Sequence, residues 1–262
     1  MDIRDFIIGG ISGALSRTVT APIELAKIQS QNKYMPNSNF RSVINGEGII
    51  GLWKGNFTNC IRIMPQNAIN FTIYEYMANN DRLLNISSNK TLTNFYSGSI
   101  AGMIAMTITY PLENARSRLC LQSNKNHYKN LLDVFKKTPI THLYRGLRMS
   151  IIGFTPYNAI NFTMYNEYKK FTNNIIISGG LAGMTALSIT YPTDLIRRRL
   201  QLQGFTKDVP KYDGIIDCVR KIIKNDGILG LYRGLLFGYM KCVPAVAIQF
   251  WFFEIMKETI NY

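Results

Sequence analysis

Three stretches of the chain run for a membrane-spanning length without a single charged residue: Thr91 to Leu112, Met149 to Asn166 and Phe171 to Thr193. An uncharged run of about 18 residues or more predicts a transmembrane helix. A buried helix of a large soluble domain could give the same pattern, but three of them are hard to hide in a soluble core built from 262 residues. Three further apolar stretches, Phe6 to Ile23, Gly55 to Tyr74 and Gly234 to Phe253, are each interrupted once, and each time by a cation: Arg17, Arg62 and Lys241. The pattern predicts six membrane helices.

The same pattern repeats along the chain. Gly9-xxx-Gly13 recurs as Gly98-xxx-Gly102 and Gly179-xxx-Gly183, at offsets of 89 and 81 residues. Pro22-x-Glu24-x-x-Lys27 recurs at the same offsets as Pro111-x-Glu113-x-x-Arg116 and Pro192-x-Asp194-x-x-Arg197. A second set follows in order: Trp53-Lys54-Gly55, Tyr144-Arg145-Gly146 and Tyr232-Arg233-Gly234, then segments opening at Pro65, Pro156 and Pro244. Each unit therefore holds two helices, with boundaries placed at residues 1–88, 89–172 and 173–262. The expected architecture is an all-α membrane protein, six transmembrane helices in three pseudo-threefold repeats around a central cavity. Small residues spaced as GxxxG allow helix backbones to approach in lipid, and a proline within each odd helix bends it.

Past each of these prolines an acid precedes a base by three residues, on nearly the same helix face. A private pair within one helix would be worth only a few tenths of a kcal/mol. Repeated three times, the arrangement points to a ring in which each acid meets the base of a neighbouring repeat and closes one end of the cavity. Charge near the middle of a membrane span costs at least about 2.5 kcal/mol, so such a side chain tends to face water or a partner, unless it snorkels to the headgroups. No carboxylate lies within the three spans that carry Arg17, Arg62 and Lys241, so these are read as unpaired cations converging on a site for a multiply charged anion.

Composition sharpens this picture. The chain is 47% hydrophobic and only 18% charged, yet its net charge is +14, from 30 Lys and Arg against 16 Asp and Glu. That excess alone would also suit a nucleic-acid-binding protein, but such a protein presents its cations on one continuous face and has no long uncharged spans. By position, the segments 24–54, 113–148 and 194–233 hold 4, 8 and 9 of the basic residues, 21 of the 30. One membrane face is thus strongly basic, as the positive-inside pattern and anionic lipid both favour. The four cysteines lack CxxC spacing and the two histidines, His127 and His142, lie in polar stretches, so metal sites and Ser-His or Cys-His catalysis have little material, and no enzyme activity, metal or cofactor is expected. Met1-Asp2-Ile3-Arg4-Asp5 leads directly into Phe6, without a transit segment, so targeting information is expected within the chain itself.

The three Pro-x-Asp/Glu-x-x-Lys/Arg signatures, each followed by an aromatic-basic-Gly triplet, closely resemble the mitochondrial carrier family over practically the whole chain. The resemblance implies a transporter of the mitochondrial inner membrane, exchanging solutes by alternating access, with termini on the intermembrane side. The family's matrix-side ring would pair Glu24 with Arg116, Glu113 with Arg197 and Asp194 with Lys27, braced by Gln31 and Gln201, with Cys120 standing at the third bracing position. The triplets ending at Gly55, Gly146 and Gly234 would lie at helix starts suited to cardiolipin phosphates. The family's opposite gate is depleted here: it reads Tyr74-Glu75-x-x-Ala78, Tyr165-Asn166-x-x-Lys169 and Phe253-Glu254-x-x-Lys257, leaving only Glu75 with Lys169 to form an ionic link. The intermembrane-side gate is therefore expected to be the weaker one.

The residues that mark the substrate class in the family fall at Arg62, Gly153-Phe154 and Lys241. Gly followed by an apolar residue looks like carriers of adenine compounds. The segments around Arg17 and Arg62 are similar to the ADP/ATP carrier, whose phosphate-binding cations these would match, with Tyr157 beside the base. Arg197-Arg198-Arg199 keeps the three arginines of that carrier's signature without its methionines, and Lys241-Cys242-Val243-Pro244 resembles the ATP-Mg/phosphate and coenzyme A carriers. The resemblance thus implies a monomeric exchanger of phosphorylated adenine-type solutes, with Arg17, Arg62, Arg198 and Lys241 on the phosphates and Gly153, Phe154 and Tyr157 receiving the base. A coenzyme A or ATP-Mg/phosphate-type carrier and a non-transporting basic membrane scaffold are the alternatives.

Overall fold

The computed structural model describes residues 3–32, 40–79, 90–122, 128–204 and 209–260, and among these no strand forms. The first repeat runs through α1 (Ile3–Gln31), the short α2 (Phe40–Glu47), a 3-10 turn (Ile49–Trp53) and α3 (Asn56–Asn79). The second runs through α4 (Lys90–Leu121), the short α5 (Leu131–Lys137) and α6 (Ile140–Leu143), and α7 (Leu147–Thr172). The third holds α8 (Ile175–Leu202), α9 (Ile215–Asp226), a second 3-10 turn (Ile228–Tyr232) and α10 (Leu235–Ile260). The expected boundary at residues 88/89 and His127 lie outside the described residues. The chain turns from α7 into α8 at Asn173, with φ of 49°, and at Asn174, whose side-chain oxygen accepts from the N–H groups of Ile176 and Ile177.

The six long helices close into a ring. Packing is most extensive between repeats, α3 on α4, α7 on α8 and α10 on α1, while the helix pairs within repeats make fewer contacts. Each long helix contains one proline, Pro22, Pro65, Pro111, Pro156, Pro192 or Pro244. Among the described residues, two spans, α8 and the stretch 228–259 that includes α10, are apolar enough over a membrane-crossing length to qualify by composition alone. The uncharged runs 91–112 and 149–166 fall short of that test because they carry Asn, Ser, Thr and Tyr. Several of these, Ser99, Asn158, Asn161 and Tyr165, line the interior cavity rather than the lipid face. The exposed apolar residues repeat with the threefold pattern: Val19, Ile108 and Ile189, each three residues before its helix proline, are 55%, 55% and 60% exposed. Ile61, Ile152 and Met240 form a second such set. Repeated large apolar exposure of this kind suits a lipid surface and not water.

The end of the bundle that carries the linking segments is closely packed. One apolar cluster joins Leu25 and Ile28 of α1 to Ala115 and Leu119 of α4, with Val43 and Leu143 from the short helices. A second joins Tyr191 and Leu195 of α8 to Cys218 and Ile222 of α9. Burial pushes the Cys218 thiol up to about 12, so it packs as a small apolar group. At the surface, Asp217 is held below the usual carboxylate range, chiefly by the ammonium of Lys221 hydrogen-bonding to it one helical turn away.

Gly55, Gly146 and Gly234 lead into α3, α7 and α10 with φ of 76°, 86° and 88°. Glycine is required there twice over. The left-handed conformation disfavours a side chain, and each glycine packs on the backbone carbonyl of a gate base in the next repeat. A Cβ would stand 3.3 Å from the Arg116 oxygen at Gly55, 2.9 Å from the Arg197 oxygen at Gly146 and 3.3 Å from the Lys27 oxygen at Gly234. Gly146→Ala is expected to destabilise the bundle by about 1–2 kcal/mol from the backbone alone, with the contact adding to it. A lowered thermal unfolding midpoint of the purified protein in detergent checks this, and an unchanged midpoint would contradict it.

Candidate functional site: a cation-lined cavity above a ring of ion pairs

The acids and bases that follow the helix prolines meet between repeats. Lys27 Nζ lies 2.8 Å from Asp194 Oδ2, Arg197 Nη2 lies 2.9 Å from Glu113 Oε1, and Arg116 Nη1 lies 3.4 Å from Glu24 Oε1. Arg197 also keeps its own-helix partner, Asp194, at 3.2 Å. Gln31 Nε2 donates to Asp194 Oδ2 at 3.1 Å, beside the Lys27 pair. Gln201 instead binds Ser117, Arg198 and the Tyr110 hydroxyl, and Cys120 reaches the Lys54 carbonyl at 3.1 Å.

Two of the three cations read as unpaired have acid partners in this structure. Lys241 forms an ion pair with Glu24, and Arg62 lies 3.7 Å from Glu113. The partners come from α1 and α4, so inspection of the cations' own spans could not reveal them. Arg62 also donates to Gln66 Oε1 at 2.6 Å and to Asn59 Oδ1 at 3.4 Å. Arg17 Nη1 donates to that same Asn59 oxygen at 3.4 Å, and among the described residues no acid pairs with it. Asn59 therefore gathers two of the expected phosphate cations, although its residue type gave no signal beyond its place beside Arg62.

Arg198 does not reach the cavity. It is buried below the ring, donating to Ser117 Oγ at 2.6 Å and to Gln201 Oε1 at 3.1 Å, with Glu113 at 3.7 Å. Successive helix residues project about 100° apart, so of Arg197, Arg198 and Arg199 only Arg197 lines the cavity, although Arg198 still touches the ring acid Glu113. Glu75 and Lys169 are not paired here; Lys169 lies over the Tyr165 ring at 5.9 Å. The ring end is thus closed while the opposite end is not latched by that pair.

A cavity of about 270 Å³ adjoins the ring, lined by Lys27, Asp194 and Arg197 on one side and by Gly153, Phe154 and Tyr157 on the other. Phe154 also borders a larger chamber of about 760 Å³, lined by Asn70, Asn158, Asn161, Tyr165 and Phe250. Gly153 has a packing role as well: a Cβ there would meet the Thr193 side chain of α8. The arrangement offers surplus positive charge at the ring and an uncharged amide-and-aromatic chamber beyond it. That can hold an anion with an attached ring system.

Three two-helix repeats closing around a charged central cavity are the architecture of a membrane transporter. The sequence model described as "Mitochondrial carrier protein" matches residues 3–80, 87–175 and 172–262, and the chain belongs to that family. It is a multi-pass transporter of the mitochondrial inner membrane. Its relatives include mitochondrial substrate carrier family protein P of Dictyostelium discoideum, 34% identical over 98% of this chain and 94% of that protein. Mitochondrial adenine nucleotide transporter ADNT1 of Arabidopsis thaliana is 33% identical, over 98% of this chain and 87% of its own length. Mitochondrial adenyl nucleotide antiporter SLC25A24 of Homo sapiens is 35% identical, over 98% of this chain and 58% of its own length.

Glu24 holds both Arg116 and Lys241, so Glu24→Gln leaves the buried Arg116 and the half-buried Lys241 without their carboxylate. The expected loss is about 3–5 kcal/mol, whereas Lys241→Gln, which leaves Glu24 with Arg116, costs less. Thermal unfolding of both variants in detergent checks the order, and equal falls would contradict the sharing.

Proposed function

We propose that the protein exchanges phosphorylated adenine-type solutes, adenine nucleotides foremost, by alternating access. The observation that carries this reading is the gathering of Arg17 and Arg62 on Asn59 and of Lys241 on the ring acid Glu24, together with a pocket that runs from the ring residues Lys27, Asp194 and Arg197 to Gly153, Phe154 and Tyr157. Phosphate groups would replace carboxylates and carboxamides on Arg17, Arg62 and Lys241, and the base would lie against Gly153 and Tyr157. Relatives named as adenine nucleotide transporters support the same solute class. Exchange rather than one-way release follows because an empty cavity with surplus cations reorients slowly, while a bound anion offsets their charge. Coenzyme A, which carries the same adenine and phosphate chemistry, is the second reading, favoured by the Lys241-Cys242-Val243-Pro244 segment.

In this reading the carrier works as a monomer, since one chain closes the ring. Cardiolipin would sit at the starts of α3, α7 and α10. At the first of these, a cavity of about 750 Å³ is lined by Lys54 with its ion-pair partner Glu47, by Gly55 and Lys129, and by the apolar Phe57 and Ile61, so Lys129 and the helix N-terminus would meet a lipid phosphate over an apolar floor. Glu75 and Lys169 would pair when the intermembrane side closes.

The test is exchange by the purified protein in liposomes against labelled ATP, ADP, deoxynucleotides, coenzyme A, phosphate and amino acids. ATP and ADP are expected to exchange, and Arg62→Ala to lower the rate about 10- to 100-fold, the scale of a lost charge-assisted hydrogen bond. Uptake of amino acids alone would overturn the substrate, and no uptake of any solute would favour the scaffold.

A further inference from the structure

The three junctions of the ring are built from two different sets of residues, which has a consequence for how the ring opens. Between repeats 2 and 3, the Tyr110 hydroxyl donates to the Arg145 carbonyl at 3.1 Å and accepts from Gln201 Nε2 at 3.0 Å. Between repeats 3 and 1, the Tyr191 hydroxyl donates to the Arg233 carbonyl at 2.9 Å and accepts from Gln31 Nε2 at 3.1 Å. Both tyrosines are fully buried, and each stacks on the aromatic residue of its triplet, Tyr144 or Tyr232, with ring centroids 6.3 Å apart. Each hydroxyl thereby ties the glutamine of one repeat to the turn that starts α7 or α10 in another.

The junction between repeats 1 and 2 has neither partner. Ala21 stands at the tyrosine position and Cys120 at the glutamine position. The thiol of Cys120 reaches the Lys54 carbonyl directly, at 3.1 Å, where the other junctions use a phenol. Trp53 stands where the other triplets have Tyr144 and Tyr232, and its indole N–H donates to the Thr18 carbonyl at 2.8 Å. A thiol is a weak donor compared with a phenol relayed by a carboxamide. The ion pair at this junction is also the longest of the three, 3.4 Å, and its acid is shared with Lys241.

We propose that Tyr110 and Tyr191 are positioning residues that hold two of the three ring junctions shut, and that the junction of repeats 1 and 2, built on Ala21, Trp53 and Cys120, is the one that opens first. The proposal does not depend on which solute is carried. Opening then begins between α3 and α4, the helices that bring Arg62 and Glu113 together, and the braced junctions follow.

Hydrogen–deuterium exchange on the full chain in lipid nanodiscs, without solute, reads each junction separately. In the wild type, amides around residues 54–58 and 116–122 are expected to exchange about fivefold faster than those around 145–149 with 197–203, or 233–237 with 27–32, the ratio set by about one net hydrogen bond. Tyr110→Phe, which keeps the stacked ring, is expected to raise exchange at residues 145–149 and 197–203 alone; a merely structural loss would raise it throughout. Ala21→Tyr, Trp53→Tyr and Cys120→Gln combined are expected to slow the first junction. With labelled ATP as probe, the same triple variant lowers the maximal exchange rate and leaves half-saturation unchanged. Equal exchange at all three junctions of the wild type, or no local change in Tyr110→Phe, would overturn the proposal even if the triple variant fails to fold. Absence of ATP exchange in the wild type would count against the nucleotide reading while the amide measurements still decide this one.

Discussion

Carboxylates buried in a helical bundle need cations, and the structure depends on how three of them are shared. Glu24, Glu113 and Asp194 are contacted by Lys27, Arg116 and Arg197, and also by Arg62, Arg198 and Lys241. Six cations therefore surround three acids. Each acid is placed by the turn after a helix proline, each base lies one turn further on, and closure of the ring follows from offsetting these pairs by one repeat. A buried ion pair contributes little net stability because desolvation offsets its attraction, but breaking one costs several kcal/mol. A ring of such pairs is thus suited to a structure that must hold firmly in one state and yet be released. The surplus of positive charge is the other half of the same arrangement: it is tolerated only beside an interior cavity, and it is what an anionic solute would offset.

The fold was legible because repetition turns weak signals into a strong one. One proline-acid-base motif is a commonplace; three at matched offsets specify six helices, their order and which ends meet. That each acid meets the base of a neighbouring repeat could be written down from that register, while the direction around the ring, Glu24 to Arg116, Glu113 to Arg197 and Asp194 to Lys27, was implied by the resemblance to the carrier family. Hydropathy was less informative. Runs without charge at 91–112 and 149–166 are not strongly apolar, because Asn, Ser and Tyr on their inner faces line the chamber.

What the sequence hid depends on contacts between repeats. Arg62 and Lys241 looked unpaired because their acids lie on other helices. Arg198 was placed with the phosphate cations because Arg197-Arg198-Arg199 resembles the three-arginine signature of the ADP/ATP carrier, yet one residue along a helix is enough to turn it from the cavity to Ser117 and Gln201. Tyr110 and Tyr191 passed as span residues next to prolines; their hydroxyls matter only through carbonyls some 35 and 42 residues away in sequence. Ala21, Trp53 and Cys120 show why such residues go unnoticed singly. They depart from the repeat at three separate positions that come together only in the fold.

The central claim is that ion pairs between repeats, and not helix packing alone, hold the ring closed. The pair of Lys27 and Asp194 is the most direct place to measure it, since among the described residues Lys27 has no other acid partner. A double-mutant cycle on thermal stability, with Lys27→Asp, Asp194→Lys and both together, reads their coupling. The account predicts that each single reversal destabilises strongly and that the double reversal recovers about 1–3 kcal/mol. Losses that simply add, with no recovery in the double variant, would contradict it.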